Sequence, residues 1–420
     1  MKRLAMHDVT PGMVLEAPVR DQKGRLLIPA GERMTEKYIR ICKIWGASEI
    51  WVQSSRDIDS EPSGGEEDIP APVWGEAERR VGEHFAANDL HDPFVHELFR
   101  IATRKKAKGI HSRQDSSIPS STSLSSQSTA AVRYTHSTRR SITVQSLISN
   151  RMRLPSLPDI YHKTIQSIYN VDIPIAEIAQ IISKDTTLSA KVLQLVNSSF
   201  YGLLNPVETL THALALIGTN QLMTILTGVS VVSVFKNVST SLLHMRQFWE
   251  HSVACGIVCR QLASYMNGVV NSERYFVGGL LHDIGRLAMM QAIADDMARS
   301  MARSKVYRLP LYQAEKEVLG IDHAQTGAHL AHVWNLPAPL ERMIHFHHQP
   351  DGKKNIDPAV VYVADFIVTA LQIGFSGNEV LPIFDNSAWN FLELNTSIID
   401  SVVYQLDNQL NDTFALIYGT

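Results

Sequence analysis

Residues 276–286 read Phe276-Val277-Gly278-Gly279-Leu280-Leu281-His282-Asp283-Ile284-Gly285-Arg286. A short apolar run of this kind suits a buried helix, and here it ends by delivering an imidazole and a carboxylate side by side. Neighbouring helical residues diverge by about 100°, so His282 and Asp283 serve one site only near a helix end where the backbone bends. Gly285 makes such a bend possible. A neutral nitrogen ligand beside a carboxylate able to bridge two ions is metal-site chemistry.

Further residues of the same type lie on both sides. His251 sits on a helical stripe with Phe248, Cys255, Cys259 and Leu262, so its ring points inward. His323 follows Asp322, a predicted N-cap, and His347 and His348 close the next predicted helix. Asp365 interrupts the apolar stretch 360–368, where a carboxylate is costly unless it is paired or bound to metal. Taken singly, each of these residues fits a hydrogen-bonded core position; together they suggest a shared site for one or two divalent ions such as iron or manganese.

The 420 residues are 45% hydrophobic with a formal net charge of -3, enough apolar content for a large core and no global case for nucleic acid or anionic lipid. Three cysteines suit a reducing, cytoplasmic setting, and Cys255 and Cys259, four apart, read as small core residues. The basic amino terminus has no following apolar run, so no secretory signal is expected. Residues 209–235 carry no charge, but polar side chains and Gly218 divide them into two buried helices rather than a membrane span.

Composition divides the chain into a small β-rich module (1–55), an acidic linker (56–75), a helical segment (76–110), a Ser/Thr-rich disordered linker (111–143), a helical domain (144–350) and a helical extension completing the bundle (351–420). In the first module, Met13-Val14-Leu15, Leu26-Leu27-Ile28 and Ile50-Trp51-Val52 read as strands, residues 21–24 as a hairpin turn, and Thr35 as the cap of one helix. Asp92-Pro93 opens the helix of the third segment. Its basic residues Arg104, Lys105, Lys106 and Lys108 are expected in a last turn, complementing the helix dipole. The class is mainly α.

The stretch from Leu154 to Pro350 resembles the HDOD domain, the HD-related output domain of bacterial signalling proteins. The matching runs are 154–158 (Leu-Pro-Ser-Leu-Pro), 185–193 with Asn197-Ser198, Ala213 with Ile217-Gly218, Phe248-Trp249-Glu250-His251, 279–285, 323–328, 334–337 and His347-His348. The resemblance implies an all-helical bundle of the HD superfamily of metal-dependent phosphohydrolases, in which HDOD members look mainly regulatory. By likeness to the HD-GYP relatives, which hydrolyse cyclic di-GMP, the metal ligands would be His251, His282, Asp283, His323, His347, His348 and Asp365. The Gly-Tyr-Pro signature is absent after His348. Arg286 stands where those relatives carry lysine, and Gln247 where some carry a glutamate ligand. The first module resembles one found ahead of some HD-GYP domains.

Two functions are therefore expected. The leading one is a regulatory or scaffold protein of signal transduction, binding metal or a nucleotide and partners such as diguanylate cyclases or sensor kinases, with an oligomer possible through its amphipathic C-terminal helices. The alternative is a metal-dependent phosphohydrolase or cyclic-dinucleotide phosphodiesterase, with Asp283 holding the ions and Arg286 steadying phosphate charge. A purely structural bundle would leave the buried carboxylates and histidines unexplained.

Overall fold

The computed structural model describes residues 2–5, 9–10, 12–20, 26–35, 38–39, 42, 49–52, 69–115, 143–144, 174–198, 201, 206–235, 241–266, 268–269, 272–349 and 355–418. In the first module, strands β1 (Lys2–Ala5), β2 (Val19–Arg20), β3 (Leu26–Ile28) and β4 (Glu49–Val52) form two antiparallel pairs, β1 with β4 and β2 with β3. Strand β1 was not expected from the sequence, and Met13-Val14-Leu15 is not a strand. Val14 and Leu15 instead make isolated bridges to Arg33 and Val52, because this segment crosses between partners: the Leu15 N–H donates to Glu32 O and the next N–H, of Glu16, to Trp51 O. Thr35 caps the helix as read, its Oγ1 accepting from the Tyr38 N–H at 3.2 Å. The turn at 21–24 lies outside the described residues.

Helix α1 (Ala71–Phe85) starts directly after Pro70, inside the stretch assigned to the acidic linker, and α2 (Pro93–Asp115) outruns the expected end at 110. Asp92 caps α2 through Oδ1, which accepts from the N–H groups of Phe94 and Val95. The tether read over 111–143 lies outside the described residues apart from its two ends.

From residue 174 onward, apolar residues at helical spacing give helix after helix. They are α3 (Ile175–Ser183), α4 (Thr186–Val196), α5 (Leu210–Ile217), α6 (Thr219–Phe235), α7 (Met245–Tyr265), α8 (Glu273–Leu281), α9 (Ile284–Ala292) and α10 (Ala294–Tyr307). There follow α11 (Leu311–Leu319), α12 (His323–Val333), α13 (Ala338–Phe346), α14 (Ile356–Ala370), α15 (Asn386–Leu392) and α16 (Ile399–Tyr418). Gly218, at φ 84°, separates α5 from α6. Among the described residues no helix is long and apolar enough to cross a membrane.

The fold is mainly α, and α7 is its axle, packed against α8, α14 and α16. The contact with α8 is close because Gly279 carries no side chain: a Cβ there would stand 2.7 Å from Cys255 O. From Val81 to Ala102, segment 71–115 belongs to the same core. Phe94 stacks on Phe384 at 4.4 Å and meets Phe366, the neighbour of Asp365, at 6.2 Å, so α2 buttresses one wall of the site. The basic residues of α2 do not sit in a last turn, since the helix continues beyond them. Arg104, with Arg100, pairs with Asp400 at 2.5 Å, and Lys105 pairs with Asp407, so this face is used to dock α16.

Candidate metal centre

His251 and Cys255 lie one turn apart on α7, His282 and Asp283 occupy the two-residue break between α8 and α9, and Asp365 faces them from α14. His323 opens α12 behind a capping box made by Asp322 and Gln325, while His347 and His348 follow the end of α13. Helix ends thus supply five of the seven residues singled out in the sequence, because a chain leaving a helix can turn consecutive side chains toward one point. Gln247 is exposed and takes no part.

All seven converge. His251 Nε2 is 3.1 Å from Asp365 Oδ1, which is 3.8 Å from His282 Nε2; His282 Nε2 is 3.3 Å from Asp283 Oδ2. Asp283 Oδ1 is 3.1 Å from His323 Nε2 and 3.7 Å from His347 Nε2, and His323 Nε2 is 2.9 Å from His348 Nε2. The ligand atoms fall into two groups, each within 4.8 Å: His251, Cys255, His282 and Asp365 in one, Asp283, His323, His347 and His348 in the other. Two atoms bound to one first-row metal at about 2.1 Å stand about 3.0–3.4 Å apart at octahedral to tetrahedral angles. The observed spacings bracket that range.

The tautomers point the same way. The Nδ1–H groups of His282, His323 and His347 donate to Gly279 O at 2.7 Å, Glu315 Oε2 at 2.6 Å and Ile344 O at 2.7 Å. In the neutral ring each Nε2 therefore carries the lone pair, aimed into the cluster. His282 Nε2 and Asp283 Oδ1 are fully buried with no aligned hydrogen-bond partner. Lone pairs facing lone pairs in a closed interior are costly unless a cation sits among them, so the residues present fit divalent metal.

Their protonation without metal reflects the same crowding. Burial, and for His323 also Arg286, presses His282 and His323 toward neutrality. Asp283 and Asp365 outweigh this at His282, and Glu315 and Asp283 at His323, so both are shifted upward, His323 to about 9. Burial and the neighbouring imidazoles drive His347 down and His348 well down. Asp283 is held well below the carboxylate range despite burial, by Arg286 and His282, and Asp365 likewise by His251 and His282. Metal held at His282 would displace the proton that its raised pKa retains.

Three further groups enter that sequence reasoning did not assign. Cys255, read as packing, places its Sγ 3.5 Å from His251 Nε2. Glu315, fully buried on α11, accepts from both the backbone N–H (2.9 Å) and Nδ1–H of His323, fixing the ring. Ser376 accepts from Arg286 Nη1 through Oγ at 2.6 Å and O at 3.1 Å. Arg286, expected to steady phosphate, is 2% exposed and directs Nη1 also to Asp283 and Nη2 to His323 Nε2 at 3.2 Å. Gly285 does not make the bend. The break falls at Asp283 (φ −96°, ψ 7°), and Gly285 serves close approach to α12, where a Cβ would stand 2.0 Å from His323 O.

Because the Glu315 carboxylate helps hold His323 in its charged form, Glu315→Gln is expected to lower the His323 pKa from about 9 in the metal-free protein while leaving the fold intact. An NMR titration in the presence of chelator measures this; an unchanged pKa would contradict it.

Residues 154–350 match the family profile of the HDOD domain. By that match this stretch of the chain is an HDOD domain, set within a mainly helical fold. An uncharacterised protein of Treponema pallidum (strain Nichols) is 26% identical over 212 residues, covering 50% of this chain but 41% of that relative. The crystal structure of an HDOD domain protein of unknown function from Geobacter sulfurreducens is similar at TM-score 0.52 and 23% identity, covering 65% of this chain and 95% of that one. A protein from Marinobacter aquaeolei VT8, named for a proposed role in signal transduction, gives 0.51 at 19% identity, covering 63% of this chain and 60% of that one. At such identities the solved structures share the fold.

Proposed function

We propose that the protein is a signal-transduction regulator whose HDOD domain holds divalent metal as a regulatory centre, without turning over cyclic dinucleotides. The observation that carries this reading is the lining of the cavities that touch the cluster. One, of about 210 Å³, reaches His348 and Asp365 between Tyr312, Tyr362, Phe366 and Asp385; another, of about 340 Å³, reaches His251 past Thr369, Ser376 and Glu379. Among the described residues neither is lined by a lysine or arginine, and both carry acidic groups. Polyanionic ligands ask for cationic donors, and the smaller cavity lies below the range of about 300–1,000 Å³ usual for ligand pockets. Output would then pass through protein contacts, with signalling enzymes such as diguanylate cyclases or sensor kinases as partners.

Hydrolysis of a small phosphomonoester is the second reading, favoured by the access of His348 and Asp365 to the smaller cavity. The test is to load the full chain with manganese or iron and assay cyclic dinucleotides and phosphomonoesters. Metal retained after dialysis with no product is the expected result. Turnover of a cyclic dinucleotide that disappears in His282→Ala would replace the regulatory reading with the phosphodiesterase one.

A further inference from the structure

The two groups of ligand atoms differ in what already faces them. Among the described residues, no lysine or arginine is hydrogen-bonded to His251, Cys255, His282 or Asp365. The other group shares its interior with the Arg286 guanidinium, whose Nη1 meets Asp283 Oδ2 and whose Nη2 lies 3.2 Å from His323 Nε2. With Nδ1–H directed to Glu315, that nitrogen faces the guanidinium at this distance, and arginine cannot clear the way by losing its proton. Nor is its side chain loose, since Ser376 holds Nη1 from behind through both Oγ and O. A fixed positive charge therefore stands where a second ion would have to bind Asp283 and His323.

The first group lacks that obstacle and holds a softer donor. Cys255 Sγ lies 3.5 Å from His251 Nε2. A sulfur at about 2.3 Å and a nitrogen at about 2.1 Å from one metal are about 3.1–3.6 Å apart at octahedral to tetrahedral angles. His282 Nε2, completely buried and without an aligned partner, points to a missing ligand, whereas Asp283 Oδ1, likewise without an aligned partner, belongs to a carboxylate already neutralised by Arg286 through Oδ2. We infer that this chain binds one divalent ion rather than two, at His251, Cys255, His282 and Asp365, with the Cys255 sulfur as a ligand and Arg286 as the built-in cation that replaces a second ion beside Asp283. One sulfur, two imidazoles and one carboxylate select a borderline ion such as zinc, iron(II) or cobalt(II) over magnesium. The inference rests on the metal-binding reading above and specifies it.

The test is titration of the chelator-stripped full chain with cobalt(II), followed by absorbance and elemental analysis, with circular dichroism checking the fold. The wild-type protein is expected to saturate at one equivalent and to develop a near-ultraviolet sulfur-to-cobalt charge-transfer band. Cys255→Ser should lose the band, and Arg286→Met should take up a second equivalent with the band retained. Two equivalents in the wild type, no band in the wild type, or one equivalent in a folded Arg286→Met would each overturn the inference. If Arg286→Met fails to fold, the wild-type stoichiometry and the band still decide. Two equivalents leave the metal reading intact, whereas no bound cobalt removes both.

Discussion

Asp283→Ala is expected to destabilise the metal-free protein by roughly 3–5 kcal/mol, because it strands a buried guanidinium without its carboxylate. Arg286 is 2% exposed and Asp283 1%, so water cannot take over as partner. The guanidinium would retain Ser376 and His323, which offer hydrogen bonds but no opposite charge. The loss is thus set by the abandoned charge more than by the pair's own worth, and the two can be separated. The double variant Asp283→Ala, Arg286→Met removes both charges and should recover most of the stability, since apolar replacement of a whole buried pair is often neutral. Urea unfolding in the presence of chelator measures all three proteins. A single variant within about 0.5 kcal/mol of wild type would show that the pair is solvated and the cluster open.

The ligand set was readable because each member carries a local signature: a cap before His323, a paired imidazole and carboxylate after an apolar run, a carboxylate inside an apolar helix. What the sequence did not reveal depends on tertiary approach. Glu315 sits between Ala314 and Lys316 and passes for a surface charge, yet it shares the buried stripe of α11 with Leu311, Ala314 and Leu319, and that spacing was the available signal. Cys255 was placed correctly on the inward face, but helical spacing alone does not tell a packing thiol from a ligand. Ser376 had no signal, because its position is set by residues 371–385 passing over α7, where the Phe375 N–H donates to Gln247 O at 2.9 Å. The basic stretch of α2 was misread for the same reason: its partners, Asp400 and Asp407, are some three hundred residues away.

Gly285→Ala tests how the two halves of the cluster are held together. The added Cβ would stand 2.0 Å from His323 O and 2.6 Å from the Gly327 nitrogen, both backbone atoms of α12. Contacts below 3.0 Å are not tolerated, so His323 O must retreat by about 1 Å, and no side-chain rotation can relieve the clash. Overpacking of this kind costs about 1–3 kcal/mol when side chains yield, and upwards of about 3 kcal/mol is expected where only helix separation helps. The same shift withdraws His323 from Asp283, now 3.1 Å away, and from the Arg286 contact, so the second group of ligand atoms should come apart while His251, Cys255, His282 and Asp365 stay together. Gly82→Ala and Gly109→Ala are the controls: both lie on helices with nothing within 4 Å of the new carbon, and each should be neutral or stabilising by up to about 1 kcal/mol. Urea midpoints for the three variants give the stability, and cobalt titration of any folded Gly285→Ala reports the cluster. A stability equal to that of the controls would mean that α9 and α12 do not touch at this point, and that the imidazole of His323 is brought to Asp283 by some other contact.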